Sequence, residues 1–313
     1  MTSVLHIVPG LDLCGNGMAV VARSLQKEQG SNVIDASVVE AKEILAFDEI
    51  WVHSTWTWNV WRVSLIAMVM KKKLLRMPHG NLDPVRIKYN GWKKWLAGPI
   101  ERYILRKCDK IVVTCDAEKK WIEAYLGKRC PKVEVIDVKR FFSLGDRSQG
   151  IRPSRVLATH RDASKPSDRE AESGVSESSA SGRALHLLYL GRRHPLKGLE
   201  YLEQAVKGIE GIELRIVSNA FGEEKEKVWD WCDVLVLPTL SENFGLVVAE
   251  ALERGKGVIT TDGAPAWDPG DRGQESGIGV GYDGRLLYLK GYREGSNEKR
   301  VQLLKAAIEK FIN

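Results

Sequence analysis

The strongest constraint on the fold is an alternation that runs along most of the chain. Short apolar runs rich in β-branched residues occur at 4–8, 33–39, 49–53 and 110–114, and again at 184–190, 212–217, 233–238 and 257–261. Each has the length and composition of a buried strand. Between them, 18–29, 89–106, 117–126 and 246–254 carry helical patterning. Strand, helix and strand in succession require crossover connections, and crossovers build parallel sheets. An α/β architecture is therefore predicted.

One segment breaks the alternation. Positions 143–183 hold ten serines and no Phe, Trp or Tyr. Such a stretch buries too little apolar surface to offset the entropy of ordering it. It reads as a flexible linker between two domains, or as an elaborated loop inside one. The chain of 313 residues is long enough for two units of ordinary size. The division expected is 1–142, a serine-rich linker or insertion at 143–183, and 184–313.

The most apolar run, 63–70, stops at Lys71, Lys72 and Lys73, far short of the roughly 20 residues that span a bilayer. Residues 4–8 read as a first strand and not as a leader. The five cysteines, Cys14, Cys108, Cys115, Cys130 and Cys232, include no C-x-x-C pair, which argues against a disulfide framework or zinc site. A cytoplasmic protein is expected. The net charge of +6 is too mild for a dedicated nucleic-acid binder. It is unevenly spread, however: between 60 and 110, thirteen basic residues face only Asp83, Glu101 and Asp109. Seven of the ten tryptophans lie in the first half, with Trp92 and Trp95 flanking Lys93 and Lys94. This region is either a solvated helix face with core tryptophans or a surface for peripheral contact with an anionic membrane, such as the inner face of the plasma membrane.

Three loops carry the chemistry. Pro9 to Gly17 follows the first strand and opens a helix; its glycines let backbone amides approach a ligand where the helix dipole favours negative charge. It lacks the G-x-G-x-x-G spacing of dinucleotide sites. Gly191 to Gly198 follows the strand at 184–190 and places Arg192 and Lys197 at its carboxyl end, where open α/β sheets bind ligands. Two cations there suit a diphosphate. In the third, an apolar strand ends at Pro238 and a polar loop, Thr239 to Asn243, leads to a helix near Gly245. Amides of Asn243, Phe244, Gly245 and Leu246 at that helix start suit a phosphate. Glu250 lies among apolar neighbours in the same helix and needs partners there; a vicinal diol such as a ribose supplies two donors.

Glu242 and Glu250 form an E-x7-E pair opened by Ser241-Glu242-Asn243-Phe244-Gly245. With it, the sequence resembles glycosyltransferase family 4, whose fold is GT-B, two facing Rossmann-like domains with parallel sheets. Three further stretches share the resemblance: Asp48 to Trp56, with its His-x-x-Trp ending; Met77-Pro78-His79-Gly80-Asn81-Leu82-Asp83-Pro84, similar to bacterial polysaccharide-assembling members; and Arg192 with Lys197, on the family's G-R…K-G signature. The resemblance implies a retaining, metal-independent glycosyltransferase. It would move a sugar from a nucleotide-sugar donor to a glycan or lipid-linked acceptor in bacterial surface polysaccharide, lipopolysaccharide or capsule synthesis, with no cofactor. It implies that Arg192 and Lys197 stabilise the departing nucleoside diphosphate, that Glu250 binds the ribose, and that Glu242 with the 243–246 amides holds the sugar and phosphate. It further implies that Gly15 and Gly17 let the first loop close over the diphosphate, and that His79 is the active-site histidine beside the transferred sugar.

The sequence departs from the family at one place. After the strand at 212–217, Glu223 to Trp231 leads straight to the strand beginning at Asp233, where family members usually insert a further strand and helix that often contact the nucleobase. The departure keeps a second reading open, a degenerate GT-B protein that acts as a non-catalytic binding or scaffolding partner in glycan assembly.

Overall fold

The computed structural model describes residues 2–13, 16–89, 91–142, 183–218, 220–270 and 277–312. The serine-rich segment, apart from Arg183, lies outside them, as do Cys14 and Gly15.

The first half is a sheet of six parallel strands in the order β2-β1-β3-β4-β5-β6. Its strands are β1 (Val4–Val8), β2 (Asn32–Asp35), β3 (Glu49–His53), β4 (Lys73–Met77), β5 (Lys110–Val113) and β6 (Lys132–Val135). The helices between them are α1 (Gly17–Gln29), α2 (Ala41–Leu45), α3 (Trp58–Val69), α4 (Pro84–Tyr89), α5 (Gly91–Lys107) and α6 (Asp116–Leu126). Leu5, Ile7, Ile50, Val52 and Leu74 pack on one face of the sheet, and Trp51, Leu75 and Met77 on the other. Burial on both faces explains the nearly unbroken apolar strands.

The second half holds six strands ordered β11-β12-β10-β9-β7-β8, parallel except for β11. They are β7 (Leu185–Leu190), β8 (Ile212–Val217), β9 (Val234–Leu237), β10 (Gly257–Thr261), β11 (Gly277–Gly281) and β12 (Leu286–Lys290). Their helices are α7 (Leu199–Ala205), α8 (Gly222–Trp231), α9 (Leu246–Glu253) and α10 (Asn297–Ile312). This sheet ends at β8, which pairs with β7, and α8 leads from β8 directly to β9. The strand order reverses between β7 and β9, and the crevice outside the carboxyl ends at such a switch point is where open sheets bind ligands.

The structure differs from the sequence reading in several elements: β4, β6, β11 and β12 were not among the strands expected. β4 escaped notice because Lys71 and Lys72 precede it, Lys73 opens it and Arg76 sits within it. Arg76 is nonetheless wholly buried, bonded to Glu101 at 3.0 Å and to the Ser54 carbonyl at 2.9 Å. Glu101 also accepts the Trp56 backbone N–H at 2.9 Å and the Trp61 indole N–H at 2.7 Å. The Glu101 carboxylate offsets the buried charge, although both bonds use Nη2 and the Arg76 Nε and Nη1 are left without partners among the described residues. The helix expected at 89–106 is α5, with α4 ahead of it, and β2 is shorter than 33–39.

The halves meet through the loops after β4 and β9. Asp83, fully buried, accepts the Ser241 hydroxyl and pairs with Arg293. Arg293 is anchored in turn: its backbone N–H reaches Asp262 at 2.7 Å, and its guanidinium lies 5.1 Å from the centroid of the Trp121 ring. Arg86 donates to the Ser241 hydroxyl at 3.0 Å. Gly80, at φ +70°, lets the two halves approach closely, since a Cβ there would stand 3.2 Å from Asn243 Cα. Asp83→Ala would strand the Arg293 cation and is expected to cost about 3 kcal/mol of stability, read from urea unfolding. A loss below about 1 kcal/mol would show that the pair does not hold the halves together.

Candidate functional site

A cleft of about 660 Å³ lies between the two halves, within the ordinary range for a small-molecule site. Gly17, His79, Arg192, Lys197, Glu242, Asn243, Phe244, Gly245 and Leu246 all line it. Residues chosen from four separate stretches of sequence thus converge on one cavity. Gly15 lies outside the described residues. Glu250 is not among the lining residues but reaches the cleft through Lys225, which does line it and pairs with the Glu250 carboxylate at 2.6 Å.

Each position follows from local chain chemistry. Asn16 caps α1, its side chain accepting from Met18 N–H at 3.1 Å and donating to Gly10 C=O at 2.7 Å. That cap fixes the first loop so that Gly17 sits against Leu246 of the other half. Lys197 ends a short 3₁₀ turn opened by His194 and Pro195, and Arg192 stands just before it. Gly245 adopts φ +68° to start α9, a conformation that a side chain would strain. Phe244 is clamped from behind: its carbonyl accepts the buried Trp267 indole N–H, and its ring stacks on Phe142 at 5.6 Å. The turn-rich loop 261–267 therefore supports the cleft wall from beneath.

Glu242 is the electrostatic centre. Burial on its own would raise its pKa, but the Lys197 ammonium and the Arg86 guanidinium outweigh that and hold the carboxylate below its usual range. Lys197 is in direct ion-pair contact with it. Its other oxygen accepts the Asn243 N–H at 3.1 Å, so one of the four amides expected to be open to a ligand is already occupied. The cleft combines a cationic pair, a carboxylate between cations, and the N-terminal amides of α9. That set suits an anionic, hydroxyl-rich ligand.

His79 reaches the cleft on a strained backbone, at φ +56°, inside the loop after β4. The next residue, Gly80, donates its N–H to buried Glu118 at 2.6 Å. The Asn243 side chain lies 3.3 Å from His79 Nδ1 and also takes the Thr114 hydroxyl at 3.1 Å. Burial lowers the pKa of His79 to about 3, so the ring is neutral at pH 7.

Arg86, Lys94, Lys225 and Tyr89 line the cleft without having been singled out, and Asn81 and Ser241, quoted only as parts of motifs, line it too. Asp83 lies within the His79 motif and Arg86 just beyond it, so their neighbourhood was visible. Their partners 155 to 210 residues away were not. Among the described residues, no group of three or more His, Cys, Asp or Glu side chains has the arrangement of a metal site.

Residues 177–280 match the family described as "Glycosyl transferases group 1". No curated protein matches the chain by sequence. Among solved structures, a sucrose-phosphate synthase from Thermosynechococcus elongatus is 13% identical, with 100% of this chain and 91% of that one covered and a TM-score of 0.62. Anabaena HepE in complex with UDP-glucose is 12% identical, with 99% and 90% covered and a TM-score of 0.59. An α,α-trehalose 6-phosphate synthase from Burkholderia multivorans is 10% identical, with 100% and 89% covered and a TM-score of 0.59. The chain has the GT-B fold, and the stretch similar to the group 1 family falls in its second half.

The buried histidines generate a pH signature. Burial lowers the pKa of His6 from 6.5 to about 4. As pH falls below about 6.5 the unfolded chain binds a proton that the native ring does not, so stability present above that pH is withdrawn progressively down to the native value. His6 alone is expected to withdraw about 3 kcal/mol between pH 7 and pH 4. Urea unfolding at the two pH values measures this, and His6→Phe should flatten the dependence by a similar amount.

Proposed function

We propose that the protein is a retaining, metal-independent glycosyltransferase that moves a sugar from a nucleotide-sugar donor to a hydroxyl of a glycan or lipid-linked acceptor in bacterial surface polysaccharide assembly. The observation that carries this reading is one cleft lined by Arg192, Lys197, Glu242, the start of α9, His79 and Lys225, the last paired with Glu250. Anabaena HepE binds UDP-glucose on the same fold.

In this reading Arg192 and Lys197 take the negative charge that grows on the departing diphosphate, the role a divalent cation plays elsewhere. Lys197 is held ready by Glu242 and exchanges part of that contact for phosphate. Glu242 and the open amides at the start of α9 hold the sugar and the phosphate next to it. Glu250 receives the ribose hydroxyls, with Lys225 neutralising its charge in the buried helix. His79 presents a neutral ring to the transferred sugar. In a front-face displacement the acceptor hydroxyl gives its proton to a donor phosphate oxygen while the C1–O bond to phosphate opens. The acceptor then takes the face that the phosphate leaves, and configuration is retained. Arg192→Ala and Glu242→Ala are each expected to lower kcat about a hundredfold or more with the fold intact. Unchanged turnover in either variant would defeat the assignment. Donor binding by calorimetry without transfer to any acceptor would favour a scaffolding protein instead.

The first half also carries the surface through which the protein meets an anionic lipid bilayer. On α5, Trp92, Trp95, Leu96, Ile100 and Tyr103 recur at helical spacing and are exposed, Trp95 by 78%. Lys93, Arg102, Arg106 and Lys107 sit among them. An outward apolar stripe bordered by cations is the form of a helix that lies in a lipid headgroup layer. Among the described residues, no helix is long and apolar enough to cross a membrane. Vesicles containing anionic lipid should retain the protein at low salt, and Trp92→Ser/Trp95→Ser should release it. Equal retention on neutral vesicles, or none on anionic ones, would remove this part of the proposal.

A further inference from the structure

Behind the cleft, three buried histidines stand in line. His79 Nε2 lies 2.8 Å from His53 Nδ1, and His53 Nε2 lies 3.0 Å from His6 Nδ1. His6 Nε2 lies 3.1 Å from the side-chain oxygen of Gln29, an exposed residue at the end of α1. The sheet builds this line: His6 is paired in register with Trp51, and His53 follows two residues later on the same face of the neighbouring strand. All three rings are buried, and the His53 and His79 rings stack at 5.1 Å. The line therefore runs from the cleft wall to the protein surface.

A neutral imidazole has one N–H and one bare nitrogen. In a row of three with one hydrogen bond per gap, choosing one tautomer chooses all of them. With Gln29 accepting from His6 and Asn243 donating to His79, every ring carries its proton on Nε2. The only other fully bonded arrangement has every proton on Nδ1, and it requires that the two terminal amides turn over and that the Thr114 hydroxyl donate to Glu118 in place of Asn243. The groups facing the line leave the rings neutral: burial dominates at all three, Arg76 and the neighbouring rings add to it at His53, and only Gln29 and Glu49 oppose it, at His6.

We propose that His79, His53 and His6 switch tautomer together and carry the proton released by glycosyl transfer from the closed cleft to water beside Gln29. This rests on the function proposed above. Transfer to a hydroxyl breaks the acceptor O–H and the C1–O bond to phosphate, forms a new C1–O bond, and leaves the electron pair of the broken C1–O bond on the diphosphate. The acceptor proton goes first to a phosphate oxygen and then to His79 Nδ1. His79 passes its Nε2 proton to His53, His53 passes its own to His6, and His6 releases one to water. One proton enters, one leaves, and no ring stays charged. The Asn243 contact on His79 is the longest in the line, at 3.3 Å, so it is the link that yields the Nδ1 lone pair. Once the cleft reopens, the reverse hops restore the first arrangement. His53 and His6 are positioning residues that act through His79.

The test begins without substrate. In the full chain labelled with ¹⁵N-histidine at pH 7, the three rings should each show one protonated and one bare nitrogen, all of the same tautomer. Gln29→Leu, a surface change, should shift the His79 nitrogens across two intervening rings. Mixed tautomers, a doubly protonated ring, or His79 signals unmoved by both Gln29→Leu and His6→Phe would overturn the array. In transfer assays with a donor that binds, His6→Phe should lower kcat about tenfold with donor KM unchanged, and should alter the solvent deuterium isotope effect. Unchanged kcat and isotope effect in His6→Phe would overturn proton conduction even if the array is present. Failure of the native protein to transfer from any nucleotide sugar would defeat the proposed function, and conduction with it, while the nitrogen spectra still decide the array.

Discussion

Asp83 holds the architecture together. Its carboxylate has no exposed surface, belongs to the loop after β4 of the first half, and is satisfied by Ser241 and Arg293 of the second. A buried carboxylate without partners would cost several kcal/mol, so the two halves are tied wherever this one residue is folded in. The tie also places the site. Ser241 immediately precedes Glu242, and Asp83 follows His79 by four residues, so fixing the first pair brings the second pair to opposite walls of one cleft. Cleft geometry and the contact between halves thus share a physical origin.

Within the cleft the charges are balanced so that a ligand can take over existing contacts. Glu242 lies between Lys197 and Arg86, and Glu250 is paired with Lys225. A diphosphate with its sugar and ribose offers anionic oxygens to the cations and hydroxyls to the carboxylates. Both carboxylates therefore have a cationic partner before a ligand arrives. The neutral histidine line behind His79 adds no charge of its own.

Much of this was legible in the sequence. Apolar β-branched runs located most strands, and the E-x7-E, G-R…K-G and Pro-His-Gly stretches named residues that line one cavity. The legible features are local: a strand's apolar run, a glycine where the chain turns into a helix, a carboxylate within an apolar helix. β4 was hidden because Arg76 looks like a surface residue until Glu101, 25 residues later, neutralises it. Glu250 was expected to wait for a ribose, and Lys225, on a helix of its own, already meets it. The apolar stripe of α5 could be read either as core or as a surface until the fold turned Trp92 and Trp95 outward.

By itself the sequence determined the α/β class, the loops that carry chemistry and the residue types in them, because those follow from periodicity and from chemistry within a few residues. Tertiary structure decided which loops face each other. Asp83 and Arg293 are 210 residues apart, His79 and Asn243 are 164 apart, and His6, His53 and His79 sit on separate segments. No spacing rule connects such positions. They meet only because parallel strands carry their carboxyl-end loops to one edge of each sheet, and because a buried carboxylate brings those two edges together.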